Sequence, residues 1–238
     1  MTTSRFLVTG ARQLVPMEDS EHQLHCYEAC ITEVDLARNE IVRQYVEESF
    51  DPAIYCDAYS FSFRGGKLED GLLHTCTQTE VIEFSLAEFR VTRRWSHRLF
   101  NDLHYAAPLG GLTYVASTGL DAVGIVRDDG EVTLLPAAGE ELPDTSLDYR
   151  SVSTKPHRSH PNFLFFLEGQ PWVTRFVQKD AVCLSDPTQH IAIDVEKPHD
   201  GLIRGDRIYF TSVNGVISVF DRRTLELVET HDLNLSYR

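Results

Sequence analysis

The chain has 238 residues, and its 22 Lys and Arg face 36 Asp and Glu, for a formal net charge of −14. That acidity argues against nucleic acid or an anionic membrane as partner, because both select basic surfaces. Hydrophobic residues at 42% and charged residues at 24% mark an ordinary globular chain, long enough to bury a core without disulfide or metal staples.

At the start, residues 6–12 (FLVTGAR) have the look of a dinucleotide-binding opening. Such a site needs further glycines where backbone meets pyrophosphate. Gln13, Leu14, Val15 and Pro16 follow instead, so a plain strand is predicted. The start lacks the apolar run of a secretory signal, and no run suits a membrane span. Five cysteines (Cys26, Cys30, Cys56, Cys76 and Cys183), an odd number, read as reduced thiols. Together these features suggest a cytoplasmic protein.

Five segments then read alike: 30–46, 80–95, 121–135, 180–193 and 215–229. Each is an alternating apolar strand, a short turn and a second alternating strand, the pattern of half-buried antiparallel pairs. The turns carry Arg38-Asn39, Asp128-Asp129-Gly130, Asp186-Pro187 and Asp221-Arg222-Arg223. The second unit, around Leu86-Ala87-Glu88, departs from that chemistry. The anchors Val34, Phe84, Ile125, Leu184 and Val219 recur at spacings of 50, 41, 59 and 35. Two further strands precede the hairpin, as in 103–106 with 112–117 and 201–204 with 207–212. The nearest helical stripe, Val34 to Glu47, is interrupted by Asn39 and by its own alternation.

Five such units resemble an all-β, five-bladed β-propeller of four-stranded antiparallel blades, a single domain over 1–238. The "TGLDAV" and "VNGVISVFD" stretches are also similar to blades of the SMP-30/gluconolactonase and virginiamycin-lyase-like propellers. Both resemblances imply architecture only, and no catalytic residue is carried over. Residues 137–158 break the pattern and read as a lid or surface insertion, with Tyr149 and Arg150 as candidate substrate contacts. The arginine-rich segment 90–98 reads as a charged edge strand.

In a propeller the innermost strands converge, so the residues that begin them are the candidate site. Those residues are Asp57 and Tyr59 in the second unit, Asn101, Asp102 and His104 in the third, His160 and Asn162 in the fourth, and His199 and Asp200 in the fifth. His104, His160 and His199 are the expected ligands of a divalent metal ion such as iron, zinc or manganese. Asp102 and Asp200 are the expected base or orienting carboxylates. Asp57, Tyr59, Asn101 and Asn162 complete the substrate contacts. Two functions follow: a metal-dependent enzyme (hydrolase, lyase or iron-dependent oxygenase) on a small molecule, or a non-catalytic propeller binding a small molecule or a protein. Whether the three histidines meet discriminates them.

Overall fold

The structure is a computed structural model that describes residues 5–13, 26–47, 53–55, 61–137, 139 and 141–234. Among the described residues nineteen strands fall into five units in chain order. The first unit is β1 (Arg5–Gln13), β2 (Cys26–Asp35) and β3 (Glu40–Glu47). The second is β4 (Gly65–Glu69), β5 (Leu72–Cys76), β6 (Glu80–Ser85) and β7 (Arg90–Ser96). The third is β8 (Leu103–Leu109), β9 (Leu112–Ser117), β10 (Ala122–Val126) and β11 (Val132–Pro136). The fourth is β12 (Pro161–Leu167), β13 (Gln170–Arg175), β14 (Asp180–Cys183) and β15 (His190–Ala192). The fifth is β16 (Pro198–Arg204), β17 (Arg207–Ser212), β18 (Val216–Asp221) and β19 (Leu227–Asp232). Every unit is an antiparallel meander, and a short parallel pairing of Gly65 with Tyr105 and Gly66 with Ala106 joins the second to the third. The alternation read from the sequence is thus the pleat of these sheets. Four units have the expected four strands; the first has three among the described residues.

Two turn chemistries repeat. The first hairpin of units two to five is a two-residue loop: Asp70-Gly71, Gly110-Gly111, Glu168-Gly169 and Gly205-Asp206. In the first three loops both residues have positive φ, and in the last Gly205 does, which matches the right-handed strand twist. The last hairpin of units one, two and five has a different device. Asp35 accepts the amides of Ala37 and Arg38, Asp221 accepts those of Arg223 and Thr224, and the Ser85 hydroxyl accepts that of Glu88. Each turn closes on a left-handed residue, Asn39, Phe89 or Leu225. The second unit, which departed from the pattern in sequence, uses a hydroxyl where its relatives use a carboxylate.

The first strands of neighbouring units pack side by side: β4 on β8, β8 on β12, and β12 on β16. The sheets between them bury four successive cores. Ala29, Ile31, Phe63 and Phe84 fill the first junction. Cys76, Val81, Phe100 and Val115 fill the second. Ala116, Val123, Leu164 and Val173 fill the third. Phe165, Trp172, Ile208, Phe210 and Phe220 fill the fourth. The β7 arginines are spent on ion pairs: Arg94 bridges Glu80 and Glu47, and Arg93 reaches Asp128 while lying over the Trp95 ring. No helix among the described residues is long and apolar enough to cross a membrane.

Candidate functional site

The first strands do not begin straight. Leu103, Pro161 and Pro198 are the first ladder residues of β8, β12 and β16, opposite Ser117, Arg175 and Ser212. Each follows a residue in the left-handed region, namely Asp102, His160 and Lys197, with φ of 45, 55 and 56°. A bulge then interrupts the ladder, between Leu103 and Tyr105, between Pro161 and Phe163, and between His199 and Leu202. Such bulges re-aim side chains at sheet ends. The residues that follow the first ladder position are His104, Asn162 and His199. His160 therefore stands two places upstream of its expected register, where Asp102 and Lys197 stand. Its carbonyl accepts the Phe176 amide as that of Lys197 accepts the Val213 amide.

His104, Asn162 and His199 open onto one cavity of about 790 Å³. Each unit contributes from its first strand or the residue before it: Thr9, Arg64, His104, Asn162 and His199. Gly65, Gly66, Tyr105, Phe163, Asp200, Leu202, Tyr209, Thr211 and Ile217 complete the lining. The volume suits a small molecule. Tyr105 and Phe163 lie against each other, with ring centroids 4.0 Å apart.

The polar groups are held as follows. His104 Nδ1 lies 2.9 Å from the Asp102 carbonyl and 2.9 Å from Thr118 Oγ1. The Asp102 carboxylate is farther away, at 3.9 Å, and 3.7 Å from the Arg64 guanidinium. Asp102 thus orients His104 through its backbone. The Asn162 amide donates to the Pro198 carbonyl at 2.9 Å. Asp200 accepts the Thr211 hydroxyl on its carboxylate, and its carbonyl accepts the Thr174 hydroxyl. Three buried polar atoms here have no partner among the described residues: Arg64 Nε, Asn162 Oδ1 and His157 Nε2. Native proteins rarely leave such groups unmatched.

Burial, aided by the nearby Arg64, pushes the His104 imidazole down to about 3. Burial first, then His104 and His157, take His160 to about 3. His157 and His199 are lowered too, chiefly by burial. All four are neutral at physiological pH.

The expected three-histidine metal set is not assembled. His160 packs edge-on against His104 with centroids 5.0 Å apart, and its Nδ1 lies 3.2 Å from His157 Nδ1. The Phe176 ring contacts both His160 and His199, with centroids 4.7 and 5.4 Å away. Among the described residues no group of three His, Cys, Asp or Glu side chains is arranged to hold a metal ion.

The insertion lies elsewhere. The Asn101 amide donates to the carbonyls of Tyr149 and Val152, and its oxygen accepts the Thr154 hydroxyl at 3.0 Å. Asn101 is buried as the anchor of this strap and does not line the cavity. Tyr149 lines a separate pocket with Leu120 and Asp121. Arg150 pairs with Asp148 at 2.6 Å and with the Ser96 hydroxyl at 3.1 Å. Asp57 and Tyr59 lie outside the described residues. Arg64, Thr118, Phe176 and Thr211 were missed in sequence. For Arg64 a signal existed, since it immediately precedes the Gly65-Gly66 strand start.

No family model and no curated protein matches the chain. Solved structures do. Virginiamycin B lyase from Staphylococcus aureus aligns with 85% of this chain and 62% of its own, at 12% identity and a TM-score of 0.53. The β-propeller domain of Cps50 (Swd1) from Myceliophteria thermophila aligns with 81% and 60%, at 12% identity and 0.52. The WD40 domain of Neurospora crassa Pan2 aligns with 87% and 60%, at 11% identity and 0.57. The chain spans about three fifths of the length of these neighbours. The fold is a β-propeller, and likeness at this identity carries the fold alone.

Proposed function

We propose that this chain is a small-molecule-binding propeller whose pocket lies where the first strands meet. One observation carries the reading: Thr9, Arg64, His104, Asn162 and His199, one from each unit, line a single cavity. Two of its lining residues, Arg64 and Asn162, keep buried polar atoms unpaired. The neutral imidazoles favour recognition over proton transfer. A catalytic base works best with a pKa near the operating pH, and His104 is far below it.

A second reading, catalysis in the same pocket, is favoured by His199 beside Asp200, whose carboxylate opposes the effect of burial on the imidazole. Virginiamycin B lyase is by its name an enzyme on a similar fold.

The test is a fragment screen by NMR with uncharged aromatic amides and alcohols, read on the imidazole signals of His104 and His199. Binders should perturb both signals, and Asn162→Ala should weaken them about tenfold, the loss of roughly one hydrogen bond. Fragments that bind His199→Ala as they bind the wild type would place recognition elsewhere. A binder that is converted on incubation would favour the second reading.

A further inference from the structure

We propose that Thr118, which does not line the cavity, is a positioning residue that fixes the His104 ring so that its Nε2 lone pair faces the ligand. The proposal rests on the pocket reading above and specifies what that pocket offers.

Thr118 is fully buried in the 3-10 turn Thr118–Leu120. Its hydroxyl contacts two groups, the Pro161 carbonyl and His104 Nδ1. A carbonyl only accepts, so the single hydroxyl proton goes to Pro161. The Thr118 oxygen must then accept, and the donor is His104 Nδ1–H. The Asp102 carbonyl, 2.9 Å from the same nitrogen, makes the same demand. A neutral imidazole has one ring proton, so with Nδ1 protonated Nε2 is bare. One hydroxyl therefore orders two neighbouring units at once. It holds the His104 ring on β8 and the carbonyl of Pro161, the residue before Asn162 on β12.

The turn is built to stay in place. A Cβ on Gly119 would lie 1.7 Å from Asn101 Oδ1, so only glycine passes beneath the strap. At the far end of the turn, the buried Asp121 carboxylate accepts the amides of Arg158, Ser159 and His160 at 2.7–3.0 Å. The segment leading into Pro161 and Asn162 is thus tied to the same turn.

The experiment labels histidine with nitrogen-15 in the full chain and compares wild type, Thr118→Val and Thr118→Ser. In the wild type at neutral pH, His104 should show an unprotonated Nε2 and a protected Nδ1 proton. The valine variant keeps the shape and loses the hydroxyl. Its Nδ1 proton, left with the Asp102 carbonyl alone, should exchange measurably faster than in the wild type, and fragment affinity should fall about tenfold. Serine should restore both. A protonated Nε2 in the wild type overturns the proposal, and that spectrum decides even if the valine variant does not fold. A valine variant with a wild-type imidazole signature also overturns it. If the signatures behave as expected and no fragment binds the wild type, the pocket reading falls while the hold of Thr118 on the ring stands.

Discussion

The junction between the fourth and fifth units and the space between the fifth and first use the same kind of sheet to opposite ends. In the former, Phe165 stacks on Trp172, and Phe210 meets both Phe165 and Phe220 edge-on. All four rings are buried. In the latter, Leu202 on β16 is 57% exposed, Phe6 and Val8 on β1 are each 53% exposed, and the cavity runs past Leu202 toward Thr9. The fifth unit therefore has one face committed to packing and one face left to line a pocket. Alternation along β16 and β17 fixes which side chain goes to which face: Ile208 and Phe210 inward, Tyr209 and Thr211 toward the cavity. The cavity is lined from all five units, and the fifth supplies an open sheet face to it.

That contrast can be broken most forcefully at its packed side. Trp172→Ala should cost about 3–5 kcal/mol in urea unfolding, the usual loss for a large buried ring. A cost below about 1 kcal/mol would mean that the fourth junction is not a close-packed core. Acid should act next, on the histidine side of the cavity. Imidazoles held below their unfolded pKa bind protons more readily once the chain unfolds. Stability is therefore full above about pH 6.5 and falls as pH drops, until the folded values of about 3 for His104 and His160 are reached. Each such group should remove roughly 1 kcal/mol per pH unit in that window. Urea midpoints at pH 7 and pH 5 measure this, and a flat profile would show that these rings take up protons as readily in the fold as in the unfolded chain. Gly201→Ala comes third. Its Cβ would sit 2.4 Å from the Phe165 ring, so it should cost about 1–3 kcal/mol by forcing that ring aside. Leu202→Ala, on the open side of the same strand, should change stability by less than about 0.5 kcal/mol. A loss comparable to that of Trp172→Ala would mean that the open face is covered in solution.

The pleat, the turns and the meanders were legible because they are local. Alternation and a Gly-rich loop sit within a few residues of each other, and they identified the fold class. The pocket was only partly legible. His104 and His199 could be placed by counting back from their glycine turns. In the fourth unit the same count back from Glu168, the first residue of its turn, lands on Asn162, and His160 lies two places ahead of that position. Asn162 consequently takes the place that His160 was expected to hold. Asn101 and Tyr149, expected to touch a ligand, hold each other across 48 residues instead. Thr118 gave no signal at all, since a threonine earns its role here only through a carbonyl 43 residues away.

Among the described residues the outermost strand of the fifth unit, β19, pairs only with β18, and all of its side chains are exposed. Each unit leans on its immediate neighbours, so stability is shared along the row rather than pooled. Opening should therefore begin at this edge and travel inward strand by strand, with the amide protons of β19 lost to solvent first and those of β12 and β13 last. The face of the pocket formed by the fifth unit then borders the edge strand whose amides exchange first.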